Sequence, residues 1–108
     1  MKEIRAYIQP FMLGRVAQAL MEIEHFPGMS VSDCEGFGRE TRGAAQDFMP
    51  FIAKKRLEIF AADHQVEAIV ATIMREAHSG RHGDGKVYVV EVKEGGRISS
   101  GERGAELA

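Results

Sequence analysis

Four segments of the chain have the pattern of a β-strand, and in the first and third of them apolar and polar residues alternate, as in a half-buried strand. In the first, Ile4, Ala6 and Ile8 share one side of the chain, and Pro10, which has no N–H group for a strand ladder, marks its end. The last segment carries apolar residues on both sides, which indicates a strand covered on both faces. The predicted strands cover residues 2–9, 29–37, 54–61 and 86–92.

Two other segments repeat apolar residues every three or four positions, which predicts amphipathic helices over residues 13–24 and 64–78. Asp63 has a side chain typical of a helix N-cap, and it directly precedes the second of these segments. Gly80 is well placed to end the same helix.

The order of elements is strand, helix, strand, loop, strand, helix, strand. This order predicts an α+β ferredoxin-like sandwich, in which two helices pack against a four-stranded antiparallel sheet. Two helices can cover only one side of such a sheet. Apolar residues on the other side, such as Tyr88 and Val90, therefore indicate self-association.

Two segments follow neither period. Residues 41–53 are expected to form a surface loop that is long enough for a functional role. The alternative interpretation is a tolerated insertion. Residues 93–108 are rich in glycine and charge, and we expect them to form a tail unless another part of the protein holds them.

Composition narrows the class of protein. A chain of 108 residues is expected to form one domain. The formal net charge of −2 gives no indication of nucleic-acid binding or of attraction to a membrane surface. Cys34 is the only cysteine, which fits a reducing cytoplasm, and no apolar run approaches the roughly 20 residues that span a bilayer. We therefore expect a cytoplasmic protein that does not insert into membranes.

Residues 79–86 place three glycines and a lysine between the second helix and the fourth strand. Glycine allows positive φ angles and a close approach of the backbone to a ligand. The N–H groups of such a bend can surround an anion, and Lys86 would add a positive charge suited to phosphate. The spacing is not that of a Walker A loop, and a plain turn is the alternative interpretation.

A metal site is a second functional hypothesis. The candidate donors are scattered, without the short repeated spacings of preformed metal sites, so a site within one subunit is not expected. They are His25, Cys34, His64, His78 and His82. Two of them, His78 and His82, flank the glycine-rich bend, so a site shared with a second copy is the form that this hypothesis takes.

An enzyme is a third hypothesis, because Asp84 lies close to Lys86 in the sequence. The chain has no Ser-His-Asp pattern and no identifiable pair of base and nucleophile. We therefore expect no catalysis.

Five short motifs occur in an order that resembles one known family. They are Tyr7-Ile8-Gln9-Pro10-Phe11-Met12-Leu13, Gly28-Met29-Ser30-Val31-Ser32, Gly36-Phe37-Gly38-Arg39, Gly83-Asp84-Gly85-Lys86, and Arg97-Ile98 with Gly101-Glu102-Arg103-Gly104. Together they resemble the PII nitrogen-regulatory signal-transduction proteins over residues 2–105. The resemblance implies a ferredoxin-like subunit that assembles as a homotrimer, with residues 1–108 as a single PII-like domain.

The resemblance also assigns three loops: a T-loop over residues 40–53, a B-loop over 79–86 and a C-loop over 97–104. Family members bind ATP or ADP in clefts between subunits, which implies the same ligands here, with AMP a further candidate and Mg²⁺ a candidate accompanying ion. The nucleotide-binding residues implied are Ser30, Gly36, Phe37, Gly38, Arg39, Glu58, Gly83, Asp84, Gly85, Lys86, Arg97 and Ser99. Glu40 and Lys54 would lie at the base of the T-loop.

Several positions depart from the family pattern. The T-loop is shorter than usual and has no tyrosine between Arg39 and Lys54, so the uridylylation known in enterobacterial relatives is not expected. Glu40 stands where the family has a glutamine, and its carboxylate can ligate magnesium but would repel 2-oxoglutarate. Ser99 replaces an arginine, a loss that should weaken the binding of ATP more than that of ADP or AMP.

The function implied by the resemblance is non-enzymatic sensing of adenine nucleotides. The protein would regulate a partner through its T-loop, in nitrogen regulation or in the control of a membrane transporter. The alternative is a regulator or metal-binding protein associated with a heavy-metal efflux system, because short-loop relatives are associated with such transporters.

Overall fold

The computed structural model describes residues 1–36 and 51–107. Within them, a sheet of four strands forms the centre of the molecule. Its strands are β1 (Lys2–Ile8), β2 (Ser30–Gly36), β3 (Ile52–Ala61) and β4 (Gly85–Glu91). A short hairpin of β5 (Gly95–Gly96) and β6 (Arg103–Gly104) follows.

Two helices connect the strands of the sheet. They are α1 (Leu13–Met21), which follows β1, and α2 (Val66–Glu76), which follows β3. A single 3-10 turn precedes each helix, at Pro10–Met12 and Asp63–Gln65 respectively. Across the sheet the order is β2-β3-β1-β4, and every neighbouring pair is antiparallel. This is the α+β ferredoxin-like fold that the order of elements predicts.

The elements differ in length from the sequence prediction. The strand β3 begins at Ile52 rather than Lys54, because Ile52 and Ala53 continue the ladder with β2 beyond the region of regular alternation. The strand β4 likewise begins one residue early, at Gly85, which pairs with Ile8. These extensions follow backbone pairing, which the side-chain pattern does not report.

The hydrophobic core lies between the helices and one face of the sheet. The inward side chains of β1 and β3 alternate as predicted, and they are almost fully shielded from solvent. The residues at the centre of this core are Ile4, Ala6, Ile8, Leu57, Ile59, Ala61, Val16, Leu20, Ile69 and Ile73. Because α1 and α2 both pack on this face, the other face of the sheet, called here the open face, is covered by no helix of the described residues.

The open face combines apolar and charged side chains. Phe60, Tyr88 and Val90 remain 45%, 49% and 40% exposed. Val90 pairs in register with Glu3, whose carboxylate accepts two hydrogen bonds from Arg5, at 2.8 and 3.0 Å. The expectation that Tyr88 and Val90 lie on the side away from the helices is confirmed.

Asp63 was expected to cap the second helix, and this expectation is wrong. The turn begins after Ala62, whose N–H group donates to the side-chain oxygen of Gln65 at 3.1 Å. Asp63 instead contacts the amine of Met1 at 3.0 Å and the ammonium of Lys2 at 3.1 Å. The amine contact, followed by the Lys2 contact, lowers the pKa of Asp63 from its ordinary value. Long-range ion pairing has replaced the local cap.

The segment after β4 is held against the start of β1 rather than forming a loose tail. The N–H group of Val92 donates to the carbonyl of Met1 at 3.2 Å. At Gly95 a Cβ atom would lie 2.8 Å from the carbonyl oxygen of Leu107, so the backbones pass closely there. Arg103 forms an ion pair with Glu94 across the hairpin.

Replacing Gly85 with alanine is expected to destabilise the fold strongly. At φ +113°, a Cβ atom would lie 1.7 Å from the carbonyl oxygen of Tyr7, so β4 would have to shift from β1. Gly28→Ala is the matched control, because Gly28 has φ +105° and nothing within 4 Å of the added atom.

We expect Gly28→Ala to lower the free energy of unfolding by about 1–2 kcal/mol, through backbone strain alone. Gly85→Ala should lose a further ~1–3 kcal/mol from the overlap. Urea unfolding followed by circular dichroism measures both variants. Equal losses would show that the contact with Tyr7 relaxes freely.

Candidate functional site

The glycine-rich bend between α2 and β4 is closed by its own acidic residue. The carboxylate of Asp84 accepts hydrogen bonds from the N–H groups of Ser79 at 2.7 Å and Gly80 at 3.0 Å, and from the Ser79 hydroxyl. Gly80 and Gly83 both have φ +88°, which other residues adopt only with strain. The carboxylate of Asp84 therefore has a structural role inside the bend.

Two strands of the sheet hold the middle of the bend through one carbonyl group. The side-chain amide of Gln9, directly after β1, donates to the carbonyl oxygen of Gly83 at 2.8 Å. The ammonium of Lys54, on β3, donates to the same oxygen. Lys54 is only 8% exposed, so this charge is largely removed from solvent. Lys54, expected at the base of the T-loop, thus contacts the B-loop.

Lys86 lies on the open face of the sheet, beside an aromatic residue. It pairs with Tyr7 of β1, and Tyr7 pairs on its other side with Arg56 of β3. The rings of Tyr7 and Tyr88 meet edge to face, with centroids 6.5 Å apart. Two cations therefore flank an aromatic side chain on adjacent strands, an arrangement suited to a ligand that is anionic and aromatic.

Ser30 and Glu58 occupy the next row of the open face. They pair across β2 and β3, and the Glu58 carboxylate lies 3.4 Å from the guanidinium of Arg56. Gly36 lies at the opposite end of the same seven-residue strand as Ser30. This length separates Ser30 from Gly36 by about 20 Å. The two residues therefore mark opposite ends of β2.

Arg97 and Ser99 lie in the C-terminal hairpin, far from the bend within one chain. The hairpin contacts the start of β1 near Met1, whereas the bend contacts its end near Gln9. The length of β1, seven residues, places about 20 Å between these regions. Arg97 is exposed, with its guanidinium 3.9 Å from Glu102. Within one chain, Arg97 and Lys86 therefore lie toward opposite ends of β1.

Four of the residues expected to bind nucleotide or effector lie outside the described residues. They are Phe37, Gly38, Arg39 and Glu40. The same holds for residues 40–50 of the expected T-loop, whereas the last two residues of its expected range belong to β3.

Comparison with known sequences identifies the family. A family model described as nitrogen regulatory protein P-II matches residues 1–102. The chain belongs to this family. Nitrogen regulatory protein P-II from Azospirillum brasilense is 39% identical to it, over 98% of each sequence. Nitrogen regulatory protein P-II 1 from Escherichia coli (strain K12) is 40% identical, over 94% of this chain and 95% of the relative.

The structure of this P-II family chain divides the predicted nucleotide residues between different parts of the sheet. The bend residues Gly83, Asp84, Gly85 and Lys86 lie at the end of β1. Arg97 and Ser99 lie at its start, and Ser30 with Glu58 occupies the open face between β2 and β3. The structure therefore brings together the B-loop residues but does not bring the C-loop to them within one chain.

Gln9 contacts the bend in this P-II family protein, although its position in the sequence predicted no such role. It lies in the first of the five motifs, but its partner Gly83 is 74 positions away. The local sequence indicates only that Gln9 is a polar residue between the end of a strand and Pro10. Tyr7 and Arg56 likewise gain their relation to Lys86 only through sheet register.

The described part of the chain does not group the metal donors. No three histidine, cysteine, aspartate or glutamate side chains lie together as a metal site requires in residues 1–36 and 51–107. His78 lies near the bend, with its Nδ1 atom 3.9 Å from a carboxylate oxygen of Asp84. This pair alone gives a metal ion too few ligands.

The pKa of Asp84 provides a test of the bend. Burial raises this pKa, but the hydrogen bonds from Ser79 and Gly80 outweigh burial, so the pKa lies below its ordinary value. A carboxyl whose pKa is lowered on folding stabilises the protein above its unfolded pKa of about 3.9, and the stabilisation is lost as the pH falls through the folded pKa.

We expect Asp84→Asn to lower the free energy of unfolding at neutral pH by about 1–2 kcal/mol, through weaker hydrogen bonds to the bend. The difference from the unmodified protein should shrink as the pH falls below about 4. Asp33→Asn is the control, because its ion pair with Lys55 is exposed and should matter by less than about 1 kcal/mol. A difference that does not change with pH would contradict the role of the Asp84 charge. Urea unfolding over a pH series makes the measurement.

Proposed function

We propose that this P-II family protein is a cytoplasmic, non-enzymatic sensor that binds ADP or ATP, with AMP a further candidate ligand. Nucleotide binding would control how residues 40–53 engage a partner protein. Mg²⁺ is a candidate accompanying ion. The names of the relatives support a proposed role in nitrogen regulation, and a membrane transporter is one candidate partner.

The observation that carries this proposal is the closed bend next to the row Arg56, Tyr7 and Lys86. Because the carboxylate of Asp84 is bonded within the bend, its charge is balanced by the N–H groups of Ser79 and Gly80. The two nearby cations suit the phosphates, and the tyrosine suits a flat base. This combination favours a nucleotide over a simple anion.

Assembly as a homotrimer is part of the proposal. Phe60, Tyr88 and Val90 expose apolar surface on the open face of the sheet. Association through this face would bury that surface. Assembly would also allow Arg97 of one copy to approach Lys86 of another, whereas within one chain the two lie toward opposite ends of β1. The proposed site is therefore complete only between copies.

Regulation rather than catalysis is supported by how the polar groups are used. Within the bend, the hydroxyl of Ser79 donates a hydrogen bond to the carboxylate of Asp84, and this contact holds the loop closed. Neither α1 nor α2 is long and apolar enough to cross a membrane, and no other helix in the described residues is. The alternative role in heavy-metal efflux gains no support from the relatives named above, whose names refer to nitrogen regulation.

Isothermal titration with ADP and ATP tests the proposal, with Lys86→Gln as the diagnostic variant. Loss of one charge-assisted contact to phosphate should weaken binding about tenfold or more. Lys93→Gln is the matched control, because Lys93 is an exposed lysine beyond the end of β4. Its affinity should match that of the unmodified protein.

Light scattering on the same samples should give the mass of three chains. A monomer, or a trimer that binds neither nucleotide at millimolar concentration, would overturn the proposed function. Equal affinities of Lys86→Gln and Lys93→Gln would remove Lys86 from the site.

The serine at position 99, where the family pattern has an arginine, predicts the order in which ATP and ADP bind. Because Ser99 supplies no positive charge for the outer phosphates, ATP should bind no more tightly than ADP. Ser99→Arg should tighten ATP about tenfold while changing ADP less. Ser100→Arg is the control, since it adds the same charge at the adjacent exposed position. Tighter binding of ATP than ADP by the unmodified protein would refute this prediction.

A further inference from the structure

The carbonyl oxygen of Gly83 has two donors from different parts of the fold. One is the neutral amide of Gln9, at 2.8 Å, and the other is the ammonium of the buried residue Lys54. Gly83 lies in the middle of the bend, between residues that the Asp84 carboxylate ties together. The two donors therefore orient one particular peptide group within a loop that is already closed.

The geometry of that peptide determines what the contact does. The described residues include no cis peptide bond, so the Gly83–Asp84 peptide is planar and trans. In a trans peptide the C=O and N–H groups point in opposite directions. Since the Gly83 carbonyl points to Gln9 and Lys54, the N–H group of Asp84 points away from both of them. The hydrogen bonds to the carbonyl also polarise the peptide, which makes this N–H a stronger donor.

We infer that Gln9 is a positioning residue for phosphate recognition, which aims the Asp84 N–H group at the ligand by holding the Gly83 carbonyl. The inference rests on the proposed nucleotide site. Gln9 acts together with Lys54, but the two differ in kind. Lys54 supplies buried charge, whereas Gln9 supplies a neutral donor that fixes the direction of the carbonyl.

This role differs from general support of the fold. The bend is closed by Asp84, Ser79 and Gly80 without Gln9, and Gly85 is fitted against Tyr7 independently. Gln9 lies at the surface end of β1 and is only partly buried. Its removal should therefore leave the loop closed and the Gly83 carbonyl bonded to Lys54, but with the direction of the Gly83–Asp84 peptide less tightly fixed.

The test is Gln9→Met, which keeps the length of the side chain and removes its donor. We expect ADP and ATP to bind about three- to tenfold more weakly, the effect of one neutral hydrogen bond. Adenosine, which has no phosphate, should bind as it does to the unmodified protein when followed by NMR titration. Gln9→Lys restores a donor and should recover most of the lost affinity. Gln18→Met, at an exposed position of α1, is the matched control.

A second readout needs no nucleotide. The ¹⁵N shift of the Asp84 amide depends on hydrogen bonding to the preceding carbonyl, so it should move in Gln9→Met and not in Gln18→Met. If Gln9→Met does not fold, Gln9→Ala serves the same two measurements. An unchanged ADP affinity, an equal loss for adenosine and ADP, or an unmoved Asp84 amide would each overturn the inference.

The failure of this inference is distinguishable from that of the proposed function. If the unmodified protein binds no nucleotide, both are wrong. If it binds ADP and Gln9→Met binds ADP equally well, only the positioning role of Gln9 is wrong.

Discussion

The contact between the glycine-rich bend and the end of β1 determines the arrangement of the candidate site. Gly85 passes so close to Tyr7 that any side chain would overlap the Tyr7 carbonyl oxygen. The carbonyl of Gly83 is held by Gln9 and by Lys54. Because β1 pairs with both β3 and β4, the bend is attached to an interior strand of the sheet. The loop proposed to bind the ligand is thus oriented by rigid neighbours rather than by its own sequence alone.

The same strand separates the two halves of the proposed site. The bend lies at one end of β1 and the C-terminal hairpin at the other, and in the proposed mechanism the ligand bridges these segments from two copies of the chain. Such a ligand would bind the assembled form and not the separate chains. By mass action it would also stabilise the assembly. Sensing and oligomerisation would therefore be thermodynamically linked in the proposed mechanism.

Membership of the P-II family and the departures from its pattern concern different properties. Identity of about 39% extends over nearly the whole chain, which accounts for the shared fold. The departures at Glu40 and Ser99 change charge, one by adding a carboxylate and the other by removing a cation. Ser99 is exposed and lies outside the hydrophobic core. We expect the two departures to alter which ligand binds and how tightly.

The sequence by itself determined the four strands of the main sheet, the two helices, their order and the inward faces of β1 and β3, because these depend on the period of apolar residues. It also placed Tyr88 and Val90 on the open face. It was wrong about Asp63, whose local capping tendency lost to ion pairs with Met1 and Lys2.

Only the tertiary structure decided that Gln9 and Lys54 share the Gly83 carbonyl, since those contacts join positions 74 and 29 residues apart. It also decided that the Asp84 carboxylate accepts hydrogen bonds from its own bend, from the N–H groups of Ser79 and Gly80. No periodic pattern encodes such contacts, because they depend on the register of strands that are distant along the chain.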